Sequence, residues 1–229
     1  MKIVLLPGLD GTGDMFAPLL SELKGFDAQI IALPDKGDQD YERLSDHVIA
    51  RLPKQAFILL AESFSGPIAA RIVAKAPPNL KGVVFVATFL SAPNRALLSI
   101  ARLLPLSFLV NLVGQLPFAR FVYRVLFLGP KASDDLTALF HKTVKSLSGT
   151  VMKARLAAIQ SQTFEKQSSA VKVIYIQASS DKLVPRSKSL EFKSCYENLV
   201  IKVIEGPHFL LQAKPVESAE IIADFASGL

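Results

Sequence analysis

Six short apolar runs, rich in β-branched residues, punctuate the chain at positions 3–6, 28–33, 57–61, 82–87, 171–177 and 199–204. They are continuously apolar and do not alternate with polar positions, as expected of strands covered on both faces. Between most of them lie stretches with helical spacing of apolar positions, at 15–23, 41–52, 65–76 and 185–195, with another at 215–226 after the last run. Pro77-Pro78 and Gly206-Pro207 supply stops. This alternation predicts an α/β fold, a three-layer α/β/α sandwich around a mainly parallel sheet of about six strands.

The alternation breaks once. From 93 to 169 there is helical pattern only, so residues 1–92 and 170–229 are expected to form the core and 93–169 an inserted helical cap. Ser133-Asp134-Asp135 reads as an N-cap with acids in the first turn, ahead of Leu136, Leu139, Phe140, Val144 and Leu147. Gly149 reads as the stop of that helix, and a further helix fits 151–164. Residues 96–128 are apolar nearly all round, but Pro105, Asn111, Gly114, Gln115 and Pro117 interrupt them. These breaks favour a cap laid over the sheet rather than a membrane span.

A length of 229 residues suits one α/β domain with an insertion, or at most two small domains, and 50% hydrophobic against 20% charged residues excludes a disordered chain. The single cysteine, Cys195, excludes an internal disulfide framework and a thiolate zinc site, and no histidine adjoins it to make it a nucleophile. The net charge of +6 is concentrated between residues 92 and 133, where Arg95, Arg102, Arg120, Arg124 and Lys131 occur without an acid. A general nucleic-acid surface is therefore not expected. The basic residues fit two readings. They hold a carboxylate or phosphate head or an anionic membrane surface, giving peripheral membrane contact through the cap, or they are the solvated side of a packed cap. The apolar run at the N-terminus is too short for a secretory signal, so a cytoplasmic protein is expected.

The strongest chemical signal is Ala61-Glu62-Ser63-Phe64-Ser65-Gly66, between an apolar run and a helical pattern. A nucleophile elbow is a strained strand-to-helix turn with small residues two before and two after the serine. Ala61 and Ser65 meet that steric demand where G-x-S-x-G has glycines; Ser65 is also read as the N-cap of the helix. A serine needs a base. His47 and His141 fall inside helical patterns, whereas His208 follows the last apolar run, where open α/β sheets place active residues. The histidine needs a carboxylate to set its tautomer, and Asp181 follows the run at 171–177. The alternative acid site, after 82–87, holds Thr88-Phe89-Leu90 and no carboxylate. The first loop, Pro7-Gly8-Leu9-Asp10-Gly11-Thr12-Gly13, has the spacing G-x-x-G-x-G. That spacing is not the dinucleotide fingerprint, and Asp10 would oppose a pyrophosphate. An oxyanion loop fits better, with the Leu9 and Phe64 amides as donors and Asp10 as a turn residue.

The order Ser63, Asp181, His208, each after a separate strand, resembles the α/β-hydrolase fold superfamily over nearly the whole chain. The glycine loop, the elbow, the insertion before the acid strand, the Asp-x-x-Val-Pro stretch from Asp181 and the Gly-Pro-His ending at His208 carry the resemblance. It departs from the superfamily pattern at Pro7-Gly8, where His-Gly is usual, and at Gly66, displaced by one from the elbow glycine. The first run corresponds to the third strand of a full-length member. The resemblance implies a serine hydrolase that cleaves a small-molecule carboxylic ester or thioester through an acyl-enzyme, with no cofactor. The leucines, valines and phenylalanines of the insertion favour a medium or long acyl chain. An acyltransferase with the same triad and a non-catalytic ligand binder are the rival readings.

Overall fold

A computed structural model describes residues 1–94, 119–163, 166 and 168–229. Its six strands, β1 (Lys2–Leu6), β2 (Asp27–Ile30), β3 (Phe57–Glu62), β4 (Leu80–Val86), β5 (Ser169–Ala178) and β6 (Tyr196–Ile204), form one sheet in the order β2-β1-β3-β4-β5-β6. Every adjacent pair is parallel. All carboxyl ends therefore emerge at one edge, and the pairs Leu6↔Ala61, Glu62↔Val86 and Ala178↔Ile204 bring the following loops side by side.

The central runs are apolar because both faces are covered, whereas the edge strands β2 and β6 are only partly covered, with Val200 and Val203 of β6 exposed. Val4, Leu59, Phe85 and Tyr175 point into one core with Leu44 and Val48 of α2 (Tyr41–Ile49), Ile68 and Ile72 of α3 (Gly66–Ala74) and Phe192. Ile3, Leu5, Leu60, Val84 and Ile176 point the other way, onto Leu19 of α1 (Ala17–Glu22) and onto Leu210 and Ile222. The sheet is the middle of three layers, as the pattern predicted.

Between β4 and β5 the described chain is helical: α4 (Ala119–Tyr123), a π-helical turn at Arg124–Leu128, α5 (Asp134–Ser146) and α6 (Gly149–Ser161). Ser133 caps α5 as expected, its hydroxyl accepting from the Leu136 amide at 3.1 Å. Gly149 is not a stop. It is the first residue of α6, behind Ser148 at the N-cap, and α5 already ends at Ser146, with Leu147 turning to extended backbone. Tyr123, Leu128, Leu136 and Phe140 make a satellite cluster with Met15 and Phe209. The insertion thus packs on residues that follow β1 and β6. Most of the expected apolar stretch at 96–128 lies outside the described residues; among these, no helix is long and apolar enough to cross a membrane.

The remaining helices are α7 (Lys188–Lys193), α8 (Leu210–Ala213) and α9 (Pro215–Ser227). The first is shorter than the expected 185–195, because Ser194 and Cys195 form the turn that enters β6. Cys195 is a buried free thiol.

Candidate active site

Strand β3 ends at Glu62, and Ser63 follows with φ 49°, a left-handed backbone that a non-glycine residue adopts only when its surroundings enforce it. The enforcing contacts are specific. The Thr88 hydroxyl, from the tip of β4, donates to the Ser63 carbonyl. Ser65 is at the N-cap position of α3 but makes no side-chain cap; its buried hydroxyl donates instead to the Pro7 carbonyl, tying the elbow to the first loop. Close approach falls on Gly66. A Cβ there would lie 2.0 Å from Thr88 Oγ1 and 2.9 Å from the Phe89 carbonyl. The displaced glycine is therefore the one the packing requires.

The structure brings the three sequence-predicted residues together. Ser63 Oγ lies 2.9 Å from His208 Nε2, and His208 Nδ1 lies 2.8 Å from Asp181 Oδ2. A carboxylate only accepts, so Nδ1 carries the proton and Nε2 offers its lone pair to the serine. The other Asp181 oxygen accepts from the Leu183 and Val184 amides, both at 2.8 Å. The carboxylate is thereby held by three donors. The acid and base loops are also joined to each other, since Ser180 N donates to the Gly206 carbonyl at 2.9 Å. His208 is buried, with its ring edge-on to Phe209 at 5.4 Å.

The first loop runs beside the serine: a Cβ on Gly8 would lie 3.8 Å from Ser63 Cβ. Asp10 takes the turn role expected of it, accepting from Thr12 N, Thr12 Oγ1 and Gly13 N. Gly11 N donates to the Gly8 carbonyl at 3.1 Å. Among the described residues, neither the Leu9 nor the Phe64 amide donates in a turn, loop or side-chain hydrogen bond. Phe64 follows Ser63 in sequence, and Leu9 follows Gly8, the residue of the first loop that runs beside Ser63. The other histidines have structural partners elsewhere: His47 Nε2 is 3.1 Å from the Ala32 carbonyl, and His141 Nδ1 is 3.3 Å from the Tyr123 hydroxyl.

Two buried charged groups were not singled out in the sequence. Glu62 receives Gln212 Nε2 at 3.3 Å on one oxygen and has no partner on the other. Burial pushes its carboxyl pKa up to about 7, with opposing contributions from the Gln212 hydrogen bond and the His208 charge and a further rise from Asp10. Arg155 of α6 is fully buried against the first loop. Of the basic residues between 92 and 133, read as holding an anionic group or surface or as solvated, Arg124 and Arg120 share Asp134, at 2.9 and 3.7 Å. Arg95 and Arg102 lie outside the described residues. Among the described residues, no group of three or more His, Cys, Asp or Glu is placed to hold a metal ion.

A family model described as serine aminopeptidase, S33, an α/β-hydrolase family, matches residues 35–206. The chain belongs to this family. The matched stretch includes the elbow and Asp181 and stops two residues short of His208. No curated protein matches the sequence of this α/β-hydrolase. Its fold is that of many solved structures. An enol-lactonase from Burkholderia xenovorans LB400 superposes with a TM-score of 0.83 at 13% identity, over 99% of this chain and 91% of that one. An esterase from Exiguobacterium antarcticum gives 0.78 at 15% identity, over 99% and 92%. A lipase-esterase related protein from Clostridium acetobutylicum ATCC 824 gives 0.75 at 17% identity, over 98% and 93%. Family and fold together make the protein an α/β-hydrolase with hydrolase activity in the general sense.

Proposed function

We propose that the protein is a serine hydrolase that cleaves a carboxylic ester or thioester through an acyl-enzyme on Ser63. One observation carries this reading: a strained serine, a histidine and a doubly anchored aspartate in hydrogen-bond sequence at 2.9 and 2.8 Å. His208 Nε2 takes the Ser63 proton as Oγ attacks the acyl carbonyl, and Asp181 stabilises the imidazolium. The Leu9 and Phe64 amides receive the developing oxyanion; losing one such donor costs on the order of a hundredfold or more in rate. His208 then protonates the leaving alcohol or thiol. Water, deprotonated by the same imidazole, attacks the acyl-enzyme and releases the acid.

Ester-type substrates are supported by the names of two structural neighbours, an esterase and an enol-lactonase. An apolar acyl group is supported by the aromatic cluster of Phe127, Phe140 and Phe209 next to His208. In this reading the insertion, residues 93–169, is the cap over the catalytic loops.

A fluorophosphonate probe tests the proposal, run beside p-nitrophenyl esters of several chain lengths, an acyl thioester and an aminoacyl anilide. Labelling confined to Ser63, absent in Ser63→Ala, is expected, with ester or thioester turnover that collapses in His208→Ala and survives in His47→Ala. A folded wild type that neither labels nor turns over would sink the reading. Turnover of the anilide alone would replace the ester with an amide substrate.

A further inference from the structure

Arg155 makes three hydrogen bonds to three separate places. Its Nε donates to Gln39 Oε1 at 2.9 Å, one terminal nitrogen to the Leu9 carbonyl at 2.7 Å, and the other to the Pro34 carbonyl at 2.9 Å. Its guanidinium carbon stands 5.8 Å from the centroid of the Phe64 ring. The side chain is 1% exposed. A buried cation is costly unless its donors are satisfied. Here the acceptors in contact are neutral, and Asp10 and Asp35 act only through their field. Burial accordingly holds the guanidinium pKa below its usual value. An apolar residue of similar size would avoid that cost, and would leave the Leu9 and Pro34 carbonyls without this donor.

What the cation does is legible from the peptide planes. Leu9 N–H shares a planar trans peptide with the Gly8 carbonyl, which Gly11 N holds from one side. The next plane, carrying the Leu9 carbonyl, is held by Arg155. Both planes flanking Leu9 are therefore pinned, and the direction of its amide is set. Gly11 makes room for this arrangement: a Cβ there would lie 2.3 Å from Arg155 Nη1. Phe64, whose amide is the other proposed donor, carries the ring beneath the guanidinium.

We infer that Arg155 is a positioning residue for the oxyanion loop, reaching from the insertion to hold the Leu9 carbonyl and pack over Phe64 so that both proposed donor amides keep their direction. The inference rests on the proposed acyl-enzyme chemistry for its effect on rate, but not for its effect on the loop. It also makes the insertion part of the catalytic geometry through α6.

Arg155→Lys keeps the charge and loses the three-way fork; Lys153→Ala, at an exposed position of the same helix, is the control. In Arg155→Lys, kcat on a p-nitrophenyl ester is expected to fall about ten- to a hundredfold with KM within about twofold. Affinity for an alkylboronic acid, whose tetrahedral adduct on Ser63 places a negative oxygen at the donors, should fall in parallel. Amide hydrogen exchange across residues 8–12 should accelerate while β3 and β4 stay protected. Unchanged kcat and boronate affinity would overturn the inference. So would equal losses in kcat, KM and protection throughout the sheet, the signature of a merely structural residue. A wild type without Ser63-dependent turnover would overturn the catalytic reading alone. Exchange at residues 8–12 then decides for Arg155, with an unchanged rate counting against it and a faster one for it.

Discussion

The Thr88 hydroxyl donates to the carbonyl of Ser63, which also accepts from the Gly66 amide, so the residue following β4 and its Ala87 fastens the left-handed serine to the neighbouring strand. Thr88 itself is held on both backbone groups by Tyr175, whose hydroxyl accepts from its amide at 3.1 Å and donates to its carbonyl at 2.6 Å. Thr88→Val keeps the shape and removes the donor. The Gly66 amide still pairs the carbonyl, so the loss is that of one hydrogen bond, about 1 kcal/mol. A melting temperature lower by roughly 3 °C is expected, with slower fluorophosphonate labelling of Ser63; unchanged melting and labelling would show that the elbow does not depend on this bond.

Gly66→Ala tests the packing of the elbow from the other side. Rotating Thr88 away from the new methyl would break its bond to Ser63, and the Phe89 carbonyl at 2.9 Å cannot rotate away. Overpacking of this kind costs about 3 kcal/mol. Gly228→Ala meets only ordinary contacts at 3.6 and 3.8 Å and should stay within about 0.5 kcal/mol of wild type. Denaturant melts of the two variants make the comparison, and equal stabilities would contradict it.

Asp181→Asn preserves an oxygen for the Leu183 and Val184 amides but presents an N–H to His208 Nδ1. The ring then accepts at Nδ1 and carries its proton on Nε2, facing Ser63 with the wrong tautomer. A fall in kcat on the order of 10³- to 10⁴-fold is expected, measured on p-nitrophenyl esters with thermal melting little changed. Activity within tenfold of wild type would remove Asp181 from its role.

Glu62 makes stability depend on pH. Its carboxyl binds a proton up to about 7 in the folded chain, against an ordinary value of 4.5. Between those values the native state holds more protons than the unfolded one, so Glu62 lowers stability progressively as pH rises from 4.5 to 7, and by a constant amount above. A shift of that size corresponds to a few kcal/mol. Glu62→Gln removes the penalty, so its melting temperature should exceed wild type by several degrees more at pH 8 than at pH 5. Parallel profiles would mean that the carboxyl titrates normally.

The strands and the Ser63, Asp181, His208 set were legible because each is a local pattern: a mainly apolar run, then a residue of the right chemistry at its carboxyl end. Gly149 misled because a glycine after a helical pattern signals a stop, whereas Ser148 starts the next helix there. The contacts of Ser65 with Pro7 and of Gly66 with Thr88 lie across strand neighbours, and no local pattern reports them. Arg155 does leave a trace in the sequence. It sits three residues after Met152 and four before Ile159, on the apolar face of its helix, where an arginine must find acceptors inside.

The insertion leaves and rejoins the core at a closed seam. Ala92 N donates to the Gln162 carbonyl at 3.2 Å, Gln162 Nε2 to the Leu90 carbonyl at 2.8 Å, and Glu191 accepts from the Leu90 and Ser91 amides. A segment whose two ends are fastened together on the scaffold behaves as a cassette. Exchange of its length and sequence is expected to pass little strain to the sheet, and, in the proposed reading of the segment as a cap, to change substrate preference on a constant frame. The exchange has one condition: the incoming segment must bring its own arginine to the Leu9 carbonyl.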